Sequence, residues 1–100
     1  MVVEAFLSWT DKARAGDRAK AAKALGAAYV TSSLPKDKQA GAYMAMSYLL
    51  DDPSPKVRQA LADALACSDD APRPIIIALA EDQAEIACPV IINSPVLRES

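Results

Sequence analysis

At 100 residues the chain has room for one domain, or part of one, built on a single core. With no His and only Cys67 and Cys88 it cannot form a tetrahedral His/Cys zinc site, and a net charge of −2 argues against a general nucleic-acid binder. Alanine supplies 21 residues, and strand-like alternation is almost absent, so the class is all-α.

In chain order, Val2, Val3, Phe6 and Leu7, with Ala13 beyond, trace one apolar stripe and predict an amphipathic helix over 2–14. Trp9 falls off the centre of that stripe. Glu4 stands where a secretory leader wants a basic residue, and no apolar run approaches the ~20 residues of a membrane span. The chain therefore reads as cytoplasmic, with no membrane contact. Gly16 suits a helix stop and Asp17 an N-cap. Residues 18–30 predict the next helix, with Ala21, Ala24 or Leu25, and Ala28 or Tyr29 on its apolar face and Lys20 and Lys23 opposite. Gly26 weakens it by about 1 kcal/mol relative to Ala, a cost tolerated where helices approach closely.

The stretch TSSLPKDKQ breaks the chain, with Ser32 or Ser33 as cap and Pro35 in a first turn. A helix through Tyr43, Met44, Met46 and Leu49 runs to about Leu50. DDPSP is the clearest punctuation: Ser54 suits the N-cap and Pro55 the first helical position, and Val57, Leu61 and Leu65, with Ala60 and Ala64, form the stripe beyond. Pro72 and Pro74 restrict the next helix to a start near Ala71 or Pro72. Asp82 and Glu85 have capping-box spacing, and Pro89 should kink the last helix. Cys67 and Cys88 lie in apolar runs and are expected as buried free thiols, which fits a reducing compartment.

The punctuation recurs every 30 residues or so. Leu49 matches Leu79, Asp52 matches Asp82, Val57 matches Ile86, and Leu61 matches Val90. Each unit is a helix, a tight turn and a second helix. The expected layout is one domain over 1–100: a first helix at 2–14, units at about 17–50 and 54–81, and a partial unit at 82–97.

DDPSPKVRQALADALA resembles the first helix of a HEAT-type repeat. With APRPIIIALAED and EIACPVIINSPVL it resembles, over about residues 17–97, a bacterial HEAT-like repeat domain family of unknown function. The resemblance implies a right-handed α-solenoid of five to six helices acting as a scaffold or regulatory binding domain, and it lends no catalytic residue. Domains of that kind are longer, so the chain reads as an N-terminal piece. By the same resemblance Arg58 braces neighbouring units through Asp52 or Asp82. Ala87 takes its place in the last unit, so no arginine ladder continues there.

Charge is unevenly spread. Residues 12–38 hold seven basic and two acidic side chains, and residues 39–100 hold four and nine. Lys20, Lys23, Lys36 and Lys38 are the candidate partner-binding set, weighed against the plainer reading of a solvated helix face. The acidic pairs at 51–52, 69–70 and 81–82 fit caps better than a Ca²⁺ or Mg²⁺ site, which needs more oxygen ligands at ordered spacing. Trp9, Tyr29, Tyr43 and Tyr48 suit a core as well as a stacking platform.

No catalytic, cofactor-binding or metal-binding residue is assigned. The chain lacks a His base, a Gly-rich phosphate loop and a nucleophile elbow. The expected function is a non-catalytic protein-interaction or regulatory scaffold with an unidentified protein partner. The alternatives are a structural domain that positions a further output region, and anion or nucleic-acid binding through residues 12–38. A last helix bearing Ile86, Val90, Ile91 and Leu97 needs a cover, which could be further chain, a second copy or a partner; a homodimer through the C-terminal end is the expectation put to test.

Overall fold

The computed structural model describes residues 8–9, 13–31 and 34–98. Among the described residues six bounded helices follow in order: α1 (Ala15–Val30), α2 (Lys36–Leu49), α3 (Pro55–Leu65), α4 (Arg73–Ala80), α5 (Ala84–Asn93) and α6 (Pro95–Arg98). The chain is all-helical, with no strand among the described residues. Of the helix predicted over 2–14, Ser8 and Trp9 are helical and exposed, and Ala13 and Arg14 are not helical; its other residues, and the caps predicted at Ser32 and Ser33, lie outside the described residues.

The α3 stripe organises the core. Val57, Leu61 and Leu65 recur every four residues, so they share one face, and all three are fully buried. Each contributes roughly 1.5–3 kcal/mol by burial. Met46 and Leu49 from α2, Ile75, Ile76 and Leu79 from α4, and Ile86 and Val90 from α5 complete the cluster. α1 packs along α3, and α3 along α5, so the odd-numbered helices form one layer. α2 lies against α1 and α3, and α4 lies against α3, α5 and α6.

Gly26 explains how closely α1 approaches α3. A Cβ placed there would lie 2.8 Å from the Ala64 Cβ and 3.4 Å from the Leu65 Cδ2. The Ala64 methyl has no torsion with which to withdraw, so any side chain at 26 pushes the helices apart. Gly26→Leu is expected to destabilise the fold by about 2–3 kcal/mol, read as a lowered urea midpoint. An unchanged midpoint would mean that α1 and α3 separate freely.

The buried face of α1 differs from the expected one. Leu25 and Tyr29 pack half-buried against the core as expected, but Ala22 and Gly26 are the buried centre of that face and Ala24 is exposed, because the line of smallest side chains receives α3. The start of α1 differs too. Gly16 and Asp17 are not a stop and an N-cap but lie within the first turn, after Arg14 in extended backbone. Asp17 there faces the positive end of the helix dipole. Pro35 stands just before α2 rather than inside its first turn.

The other corners follow the punctuation with different bonds. Ser54 precedes α3 and Pro55 opens it, but the Ser54 side chain makes no capping bond. Instead the Ser54 N–H donates to Asp52 Oδ1 at 2.9 Å. The capping box at Asp82 and Glu85 does not form: Gln83 occupies the boundary position, and its N–H donates to Asp82 Oδ1 at 2.7 Å. α4 begins at Arg73, with Pro72 at the boundary. α5 continues across Pro89 to Asn93. The break falls at Ser94, whose ψ of 118° is the extended conformation that a following proline imposes.

Counted from their first residues, α1, α3 and α5 share a register. The fourth residues are Arg18, Arg58 and Ala87, and four further on stand Ala22, Ala62 and Ile91. Ala22 and Ala62 are fully buried, whereas Ile91 is 56% exposed. This corrects the expectation that Ile91 joins a face in need of cover together with Ile86 and Val90. Those two are already buried within the chain, and Leu97 is half-buried. In the same register Ser94 replaces Leu65, and its buried Oγ finds no hydrogen-bond partner among the described residues.

Candidate interaction grooves

Two arginines tie the helix layer to the corners. Arg18 Nε donates to Asp52 Oδ2 at 2.8 Å, and its Nη2 donates to Oδ1 at 3.0 Å, a two-point clamp between side chains 34 residues apart. Its Nη1 donates to the Ala13 carbonyl at 2.7 Å. Arg58 repeats the pattern one hairpin later: Nε donates to Asp82 Oδ2 at 2.8 Å, and Nη1 donates to the Asp52 carbonyl. The Asp52 corner thus takes one arginine through its carboxylate and the next through its backbone. All four carboxylate oxygens of Asp52 and Asp82 accept a hydrogen bond, which helps a partly buried ion pair to be tolerated.

Electrostatics at Asp52 follow from this geometry. Burial pushes its carboxyl up, but the Arg18 hydrogen bond, the Ser54 N–H and the charges of Arg18 and Arg58 outweigh burial and hold it below the ordinary carboxylate value. The bond to Asp52 raises Arg18 above its ordinary value, so it stays charged at any working pH.

The basic residues divide between two grooves. Lys20 and Lys23 from α1 meet Lys56 and Gln59 from α3 in a groove floored by Ala19 and Ala60, with Asp63 on its wall. Lys36 lines a different groove, between α1 and α2, with Tyr29, Gln39, Ala40, Tyr43 and Met44. Lys38 is exposed on α2 and borders neither. Lys20, Lys23, Lys36 and Lys38 are therefore not one surface. Arg18, counted with the basic segment, is engaged by Asp52.

The α1/α2 groove is the more apolar of the two. Tyr29 and Tyr43 are half-buried along it, and Met44 is 60% exposed at its edge. Tyr48, one turn beyond Met44, and Ile77 on α4 are also exposed. Large apolar residues thus gather on the outward sides of α2 and α4. Trp9 is exposed rather than buried in a core.

Cys67 and Cys88 are free, as expected, but exposed rather than buried. Cys67 lies beyond the end of α3, and Cys88 follows the last inward-facing residue of its turn, Ala87. Apolar neighbours in sequence did not place either thiol inside. No group of three or more His, Cys, Asp or Glu among the described residues is arranged to hold a metal ion. No helix among them is long and apolar enough to cross a membrane.

Local spacing concealed three of these features. Arg18 is one of seven basic residues in its segment, and only alignment of 15–26 with 55–66 places it opposite Arg58. Lys56 lies outside the basic segment and joins Lys20 and Lys23 only through packing. The Tyr29/Tyr43 groove needs the α1–α2 corner, which no helix periodicity reveals. No protein-family model matches this sequence, and no similarity is found to a curated protein or to a solved structure.

Proposed function

We propose that this protein is a short, right-handed α-solenoid of the HEAT-like kind, serving as a non-catalytic protein-interaction or scaffold module. The repeated arginine clamp, the shared register of α1, α3 and α5, and the resemblance of residues 17–97 to HEAT-like domains support the architecture. One observation carries the function: the groove of Tyr29, Tyr43 and Met44, with Lys36 at its mouth. Tyr and Met are residues that interfaces favour, and a fixed aromatic pair beside an exposed flexible side chain suits an apolar anchor from a partner. The binding reading therefore centres on α2.

Met44→Glu tests it. The position is exposed, so helicity and melting temperature should stay near those of the wild type. A protein captured on the wild-type chain from cell extract should be lost from the variant. Retention of the same protein would move the binding face away from α2.

A second reading, favoured by Ile91 and Ile92 at 56% and 66% exposure, is a structural domain whose α5 packs against a second copy of the chain. Light scattering over a concentration series should then report a dimer that Ile91→Lys returns to monomer. A monomer throughout would remove this reading.

A further inference from the structure

The geometry points to the groove between α1 and α3 as a docking surface for an acidic protein segment, whose carboxylates Lys20, Lys23 and Lys56 engage. This surface shares no residue with the α1/α2 groove, so it stands or falls separately from the function proposed above.

The lysines converge because Gly26 lets the helices close. Lys20 and Lys23 are three residues apart on α1 and so neighbour each other on one face, and α3 brings Lys56 across from them. All three are exposed, and none forms an ion pair among the described residues. By contrast Arg18 and Arg58, on the same two helices, are both engaged. Asp63 lines the groove and Asp17 precedes Lys20 by three residues, but neither is within ion-pair distance of a lysine. Three cations in one concavity are thus left with no counter-charge bonded to them among the described residues.

The lining selects among anions. Ala19 and Ala60 give a small, apolar floor between the lysines, which suits short side chains alternating with carboxylates. No aromatic side chain lines the groove to stack on a base, and no Arg forks onto a phosphate. The chain as a whole is negative, which penalises a long polyanion more than a short acidic segment.

The test uses a fluorescein-labelled peptide of repeated Glu-Ala-Glu, followed by anisotropy with the full chain. The expected result is saturable binding at about 20 mM NaCl that weakens at least tenfold by about 200 mM, as screening of exposed charges requires. The variant K20E/K23E/K56E should lose saturable binding, and K20Q/K23Q/K56Q should weaken it at least tenfold while preserving the melting transition. K36E/K38E should bind as the wild type does. No saturable binding at low salt, unchanged binding by the glutamine variant, or loss in K36E/K38E would each overturn the proposal. Tighter binding of a single-stranded DNA of equal charge would overturn it in favour of a nucleic-acid surface.

Discussion

Leu61→Asp is expected to abolish cooperative unfolding. Leu61 is fully buried at the middle of α3, and its Cδ1 would lie 3.6 Å from a Cβ at Gly26, so it fills the seam between α1 and α3. A carboxylate there has no cation or donor within the apolar cluster and loses its hydration, at a cost of several kcal/mol. A domain of this size has about 5–15 kcal/mol of total stability, and the substitution also removes the leucine's own contribution. Ellipticity followed against urea should show a gradual decline in place of a sigmoid. Leu61→Met, which conserves volume, should cost less than about 1.5 kcal/mol and keep the sigmoid. A cooperative Asp variant would show that the α3 stripe does not carry the core.

The second large effect is expected at Asp52. Asp52→Ala removes both bonds from Arg18 and the acceptor for the Ser54 N–H, leaving the guanidinium in a partly buried site with only the Ala13 carbonyl. The pair is only partly buried, so the loss should be read as a clearly lowered urea midpoint, smaller than that of Leu61→Asp. Asp52→Asn keeps an oxygen for Ser54 but not the charge, and should fall between Ala and the wild type. The pH dependence has a definite sign. Because the folded carboxyl lies below its ordinary value, its stabilisation is fully present above the unfolded value, about 3.9. It is lost as pH falls through the lower folded value. Urea midpoints for the wild type should hold steady from neutral pH to about pH 5 and then drop, and Asp52→Asn should flatten part of that drop. Equal acid sensitivity in the two proteins would place the acid-labile contact elsewhere.

The contrast between these two sites shows what the sequence made legible. Leu61 was readable because Val57, Leu61 and Leu65 repeat at helical spacing beside a strong Ser-Pro start, and both signals are local. The helix order, the α3 core and the corners at DDPSP and APRP follow from signals of that kind. Asp52 was readable as an acidic corner and as a bracing partner for Arg58, which does bond its carbonyl, but not as the partner of Arg18. Its partner Arg18 is 34 residues away and has no local mark, so the clamp emerges only when two helices are packed. The predicted caps at Asp17, Ser54 and Asp82 were the right residue types near the right boundaries, but each boundary is set by backbone geometry that competing carboxylates and prolines decide. Cys67, Cys88 and Ile91 show the same limit for burial: an apolar run says that a helix is apolar, and only packing says which side faces in. The grooves join side chains from two helices and were the least legible feature.

The Arg18–Asp52 and Arg58–Asp82 clamps span 34 and 24 residues, and among the described helices every extensive contact joins elements no more than two apart in chain order. Among the described helices, no distant pair must meet before structure is gained. Closing such short loops costs little entropy, and helical chains dominated by near-neighbour contacts reach their native state in microseconds to milliseconds. Folding can start at the central helix and spread hairpin by hairpin in both directions. The Ser54–Pro55 corner would then sit inside the earliest structured unit, while α6 is the last piece to lock and the first to fray.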